Sequence, residues 1–204
     1  PPTYSLKETN KNNIYKKPTK KVSILSITRL EERKGIIPVL KSLGYLHKKK
    51  LIKPFIWKIC GEGKQESEIK KYIDSLGLSK HVRLLGRVSD ENKNQLLKKS
   101  DLFVMPSYKV GNSIEGFGIS YIEAASYGIP SISGVEGGIS DAVFDLKTGW
   151  CVNPLNSNQL LDTIKEAVNN KNKREKFGLE AKKQFLKKFL GEKVFRKFMN
   201  TINS

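Results

Sequence analysis

The chain has 204 residues, 38% of them hydrophobic and 28% charged, which fits one globular domain with its own core. A formal net charge of +18 points either to anionic partners (nucleic acid, anionic lipid, phosphorylated ligands) or to a solvated lysine-rich surface. No apolar run approaches the roughly 18 residues that span a bilayer, and the only histidines, His47 and His81, form no metal-ligand spacing with the cysteines.

Residues 1–20 are polar and read as a linker or tail. The start, Pro1-Pro2-Thr3-Tyr4, has no methionine and no apolar signal segment, so it reads as the beginning of an excised fragment or a processed chain. Val22 to Ile27 is a β-branched run and predicts a strand, followed by a loop from Leu30 to Gly35. Ile36, Val39, Leu40, Leu43 and Leu46 keep helical spacing, with Pro38 tolerated in the first turn. Phe55 to Cys60 predicts a second strand, ending at Gly61-Glu62-Gly63. A helix from Glu66 to Leu76 closes on Gly77, and Val82 to Leu85 is a third strand.

Ser89 is placed to cap a helix over Asp90 to Lys99. Leu102 to Met105 is a fourth strand, stopped by Pro106. A glycine-rich loop then feeds a helix ending near Gly128; Ser131 to Ser133 is a fifth strand. Gly137 to Asp141 opens a short helical turn, Trp150 to Val152 is a sixth strand, and Ser157 is placed to cap a helix carrying Leu160, Leu161, Ile164, Ala167 and Val168. Cys60 and Cys151 each end a strand-like run; two buried free thiols in a reducing cytosol is the favoured reading, with a disulfide left open.

Strands alternating with helices predict right-handed βαβ units, hence a single α/β, Rossmann-like, doubly wound domain with a mainly parallel sheet over residues 21–204. Such sheets bind ligands beyond the carboxyl ends of their strands, so the loops bearing Arg29, Lys34, Gly61, Arg87 and Glu115 are expected on one rim. In Glu115-Gly116-Phe117-Gly118-Ile119-Ser120-Tyr121-Ile122-Glu123, a glycine-rich turn enters a helix. Its free N–H groups and positive dipole end suit a phosphate, and the two carboxylates suit the hydroxyls of a sugar or ribose. That combination describes a nucleotide-sugar site. On the residues alone, Glu123 also reads as an ordinary helix glutamate, Phe117 and Tyr121 as core aromatics, and Gly61-Glu62-Gly63 as a tight turn.

Ile24 to Leu30 followed by Lys34-Gly35 resembles the strand–"GRL"–"KG" segment of the group 1 (family 4) GT-B retaining glycosyltransferases. Glu115 to Glu123 matches that family's E-x7-E motif, and Ala124 to Pro130 follows as its "EAxAxGxPV" does. Gly137 to Asp141 resembles "GGxxE/D", and Thr148-Gly149 the "xTG" turn. The resemblance implies one half of a GT-B fold that binds a UDP- or GDP-linked sugar donor. It implies that Arg29 and Lys34 bind the donor diphosphate together with the amides of Phe117, Gly118 and Ile119. Glu115 would face the transferred sugar as the catalytic carboxylate, Glu123 would hold the ribose, and Val88 would meet the base. No metal or other cofactor is implied, because cations and amides handle the diphosphate. The missing N-terminal GT-B domain would be a partner carrying the acceptor site.

Two departures stand out: Thr28 replaces the usual glycine before the arginine, and Lys109 to Ile114 lengthens the loop before Glu115, as in a subset that includes the phosphatidylinositol mannosyltransferases. Residues 171–204 predict basic C-terminal helices, with Phe185, Leu186, Phe189 and Leu190 at helical spacing and Val194, Phe195 and Phe198 beyond. Such helices either pack on the sheet or meet an anionic membrane surface, giving a cytoplasmic protein that in the second case is peripheral at the inner face. The expected function is hexosyl transfer with retention, in glycan or glycolipid biosynthesis, by a domain inactive on its own. A GT-B epimerase is disfavoured by E-x7-E. The rival class is a basic nucleic-acid- or anionic-membrane-binding module without catalysis. Nucleic acid is not an expected partner, since the chain lacks the interleaved aromatics of an RNA-binding motif.

Overall fold

The computed structural model describes residues 21–188. The expected tail at 1–20 and the apolar positions Phe189, Leu190, Val194, Phe195 and Phe198 lie outside them. Six strands, β1 (Val22–Ile27), β2 (Phe55–Cys60), β3 (Val82–Leu84), β4 (Leu102–Met105), β5 (Ser131–Ser133) and β6 (Gly149–Cys151), form one sheet in the order β3-β2-β1-β4-β5-β6. Every adjacent pair in that sheet is parallel. This order reverses direction between β1 and β4, the switch point where open parallel sheets leave a crevice.

Helices α1 (Ile36–Lys48), α2 (Glu66–Ser75), α3 (Asp90–Lys98), α4 (Ile119–Ser126), α5 (Ser157–Asn169) and α6 (Lys171–Lys188) cover both faces. Strand alternation sends side chains to two separate cores. Ile24, Trp57, Ile59 and Val104 join Leu40, Ile69 and Ile164 from α1, α2 and α5 on one face. Leu25, Cys60, Phe103 and Met105 join Leu97, Ile122 and Ile139 on the other. The Ser26 hydroxyl, buried mid-sheet, is paired: Trp57 Nε1 donates to Ser26 Oγ at 2.9 Å, and Ser26 Oγ donates to the Val104 carbonyl. An unpaired hydroxyl there would cost about 1–3 kcal/mol.

Capping follows local chemistry. Ser89 accepts from Asn92 N at the start of α3, and Gly77 adopts φ 67° past α2. Several expectations need correction: β6 runs Gly149–Cys151 rather than Trp150 to Val152, and β3 stops at Leu84 rather than Leu85, each a one-residue shift in where the ladder pairing ends. Asn156, not Ser157, caps α5, accepting from Gln159 N at 3.1 Å; both residue types cap well, and the backbone becomes helical one residue earlier than expected. The stretch expected as a plain loop after β1 contains a 3-10 turn over Glu32–Lys34, closed by Gly35 at φ 69°. Both cysteines are free, Cys60 buried and Cys151 partly so. β2 and β6 are four strand positions apart, about 19 Å at ordinary strand spacing. That separation is far beyond the roughly 7 Å Cα limit of a disulfide.

α6 packs its Phe177 into the first core and Ala181 and Phe185 into the second, wrapping the end of the sheet. Gly178 lets it meet the turn after α4 closely, since a Cβ there would lie 2.2 Å from the Gly128 carbonyl oxygen. Leu186, one of the expected apolar positions, is instead exposed, as is Leu179. Among the described residues no helix is long and apolar enough to cross a membrane.

Candidate functional site

The loops after β1 and β4 meet at the switch point. The β1 loop carries Thr28 to Lys34 and ends in the N-terminus of α1; the β4 loop carries Pro106 to Gly118 and ends in the N-terminus of α4. Backbone contacts fix their approach. Tyr108 N donates to the Arg33 carbonyl at 2.9 Å, and Gly35 sits where a Cβ would lie 2.4 Å from the Pro106 oxygen. From α4, Ser120 Oγ donates to the Ile27 carbonyl at 3.0 Å, which ties the helix start to the end of β1. The lengthened segment before Glu115 is a small hairpin, with reciprocal bonds between Val110 and Ser113 and Gly111 at its tip.

Glu115 is the centre of this meeting point, and its side chain is 13% exposed. Its Oε2 accepts from Lys34 Nζ, from Arg33 Nη1 at 3.3 Å and from Ser107 Oγ at 3.4 Å. Lys34 is buried, and burial lowers its pKa below the ordinary lysine value despite the opposing pull of Glu115. Arg33 is gripped from its other side by Glu31, whose Oε2 accepts from Arg33 Nε at 3.0 Å. Glu31 also pairs with Arg29 at 3.2 Å, and the Arg29 side chain is 71% exposed. The expected cations Arg29 and Lys34 are thus joined through Glu31, Arg33 and Glu115. Arg33 was not among the residues expected from sequence.

Glu123 lies on α4, and its Oε1 accepts from Lys93 Nζ at 2.8 Å. Burial pulls the Lys93 ammonium down, but Glu123 and Asp90 outweigh it and raise its pKa. Lys93 is the second residue that sequence reasoning missed. Each glutamate of the Glu115/Glu123 pair is therefore held by a cation from another element. Gly118, at φ 70°, is the N-cap of α4, so the first amides of the helix lie beside the β4 loop without intrahelical acceptors. Ile119 is exposed, whereas Phe117 packs partly against the second core. Tyr121 is a core aromatic: its hydroxyl donates to the Met105 carbonyl and its ring meets Phe103 edge-on at 5.8 Å.

Val88 lies in the loop after β3, partly buried against the second core. Gly61 N donates to the Gly86 carbonyl at 2.8 Å, which joins this loop to the end of β2. Gly61-Glu62-Gly63 is a tight turn pressed on the β1 loop: Leu30 N donates to the Glu62 carbonyl at 2.8 Å, and a Cβ at Gly61 would lie 1.8 Å from the Thr28 oxygen. The Thr28 hydroxyl itself is buried with no partner among the described residues. Gly137-Gly138 backs Glu115, with Gly138 N donating to the Glu115 carbonyl at 3.1 Å. Among the described residues no group of three or more His, Cys, Asp and Glu could hold a metal ion.

A crevice at a sheet reversal, flanked by cations, a helix start and two partly buried carboxylates, suits an anionic, hydroxyl-rich ligand. The family model described as glycosyl transferases group 1 matches residues 7–184. The chain belongs to that family. An uncharacterized glycosyltransferase of Methanocaldococcus jannaschii is 34% identical over 139 residues, covering 68% of this chain and 38% of that protein. The GDP-mannose-dependent alpha-(1-6)-phosphatidylinositol monomannoside mannosyltransferase of Mycolicibacterium smegmatis is 29% identical over 131 residues, 63% of this chain and 34% of that enzyme. A crystal structure of a point mutant of S. aureus TarM in complex with fondaparinux, alpha-GlcNAc-glycerol and UDP superposes with a TM-score of 0.75 at 27% identity. That match covers 95% of this chain and 38% of TarM. The glycosyltransferase chain is thus a Rossmann-like half of the GT-B kind, and it spans just over a third of the length of the relatives it matches. Membership of this family displaces the reading as a basic binding module.

Proposed function

We propose that this glycosyltransferase domain holds a UDP- or GDP-linked sugar at the β1/β4 crevice and, joined to an acceptor-binding N-terminal domain, transfers a hexosyl unit with retention. The observation that carries the reading is the convergence of Lys34 and Glu115 from separate βα loops onto one contact beside the start of α4. In this reading Arg29 and Lys34 neutralise the diphosphate, helped by the amides of Phe117, Gly118 and Ile119. Glu123 accepts the ribose hydroxyls, Val88 meets the base through its backbone, and Glu115 faces the sugar. The bond from the anomeric carbon to the diphosphate breaks while the acceptor oxygen bonds to that carbon on the same face, and the acceptor proton passes to the leaving phosphate. Lys34, being buried, stabilises that leaving charge more than a solvated cation would. UDP is supported by its presence in the TarM complex and GDP by the mannosyltransferase relative. A glycan or glycolipid acceptor and a cytoplasmic setting, at or near the inner membrane face, complete the reading.

No divalent metal is required in this reading, because side-chain cations supply the charge. Calorimetry of the chain with UDP and with GDP in excess chelator is expected to show saturable binding of one of them. Binding that appears only on adding magnesium or manganese would remove the metal-free site.

A further inference from the structure

We propose that Arg33 is a positioning residue for this donor site, holding the Glu115 carboxylate in the orientation that meets the sugar. The inference rests on the reading of Glu115 as the sugar-facing carboxylate and adds a residue to it. Two independent contacts carry it. The Arg33 side chain reaches Glu115 at 3.3 Å, and the Arg33 backbone carbonyl accepts Tyr108 N at 2.9 Å from the loop that bears Glu115. The guanidinium is bound on two edges, by Glu31 through Nε at 3.0 Å and by Glu115 through Nη1. A planar fork fixed at one edge presents the other edge in a set direction, which a lysine ammonium cannot do.

The division of labour follows from which cation is committed elsewhere. Lys34 and Arg33 both donate to the same oxygen, Glu115 Oε2. A diphosphate drawn to Lys34 competes with Glu115 for that ammonium. Arg33 is held by two carboxylates, Glu31 and Glu115, and following the phosphates would break both contacts. When Lys34 turns to the diphosphate, Arg33 and Ser107 remain on Glu115. The carboxylate then stays aimed while its first partner is taken. Arg33 acts through Glu115 and touches neither phosphate nor sugar.

The test measures, on the full chain, the affinity of whichever of UDP and GDP binds the wild type, and of its glucose, N-acetylglucosamine and mannose conjugates. For Arg33→Ala the expected result is nucleoside diphosphate affinity within about twofold of wild type and nucleotide-sugar affinity about tenfold weaker, the scale of one charge-assisted bond. Arg33→Lys should recover the sugar-dependent part only partly. Glu115→Ala should show the same loss, and the double variant should lose no more than either single one, because both remove one interaction. Equal weakening of nucleotide and nucleotide-sugar in Arg33→Ala would make Arg33 a loop staple or a phosphate ligand and overturn the proposal. Unchanged affinity for both would overturn it as well. Failure of the wild-type chain to bind any of these ligands would instead bring down the donor-site reading, and Arg33's role with it.

Discussion

Glu115 and Glu123 carry opposite expectations because their partners differ. Removing Glu115 releases Lys34 from its ion pair, so Glu115→Ala should leave affinity for the free nucleoside diphosphate unchanged or raise it by about two- to fivefold. Glu123→Ala should weaken the same ligand by about 1–3 kcal/mol, the cost of lost hydroxyl hydrogen bonds, while Lys93 keeps its pairing with Asp90 at 3.1 Å. Calorimetry with UDP and GDP reads both, and a loss confined to Glu115→Ala would exchange the two assignments. Glycine positions separate in the same way. Gly61 has φ 129°, and a methyl group added there would meet the Thr28 oxygen at 1.8 Å, while Gly77 at φ 67° has nothing within 4 Å. Gly61→Ala should therefore cost about 3 kcal/mol or more, and Gly77→Ala only about 1 kcal/mol. Denaturant unfolding of the two variants checks the contrast.

At the amino ends of β2 and β3 the ring of His47 lies 4.2 Å from that of His81, and Phe55 flanks both. Burial first, then the neighbouring His81, lowers the His47 pKa below its ordinary value of 6.5. The unfolded chain then binds more protons at this residue just below pH 6.5, so stability rises with pH through that window and falls as pH drops through it. Thermal unfolding between about pH 7.5 and 5 should show the loss, and His81→Phe should make it shallower. A pH response unchanged in that variant would remove the pair as its cause. The sequence made most elements legible because each carries a local signal: β1, β2 and β4 begin and end where β-branched or apolar runs do. Arg33 and Lys93 were not legible. Their partners lie 82 and 30 positions away, and neither spacing nor residue type announces a pairing made only by the sheet order. The cap of α5 was misread for a local reason, since Asn156 and Ser157 are adjacent good caps and the backbone alone chooses between them.

For the molecule as a whole, the matched relatives are far longer than this chain. Catalysis between two domains depends on each supplying part of a dry, oriented environment. Residues 1–204 are therefore expected to bind donor yet transfer no sugar, read by product analysis with a nucleotide-sugar and simple saccharide or lipid acceptors. Saturable transfer by the chain alone, abolished by Arg29→Ala, would show that the machinery is complete in it. The net charge of +18 acts over the Debye length, about 8 Å in physiological salt, and so bears on solubility and anionic surfaces more than on the neutralised pairs of the rim.

The rim is set by main chain against main chain. Methyl groups at Gly61, Gly134 and Gly138 would lie 1.8, 1.7 and 1.9 Å from the carbonyl oxygens of Thr28, Ser107 and Gly116. Loop geometry at the crevice is thus set in part by close main-chain approach, beside the side-chain contacts that cross it. On the proposed donor reading, variation at this edge is expected to change which sugar and which base are held while the place where they are held stays put, and a frame of that kind lends itself to retargeting by substitution alone.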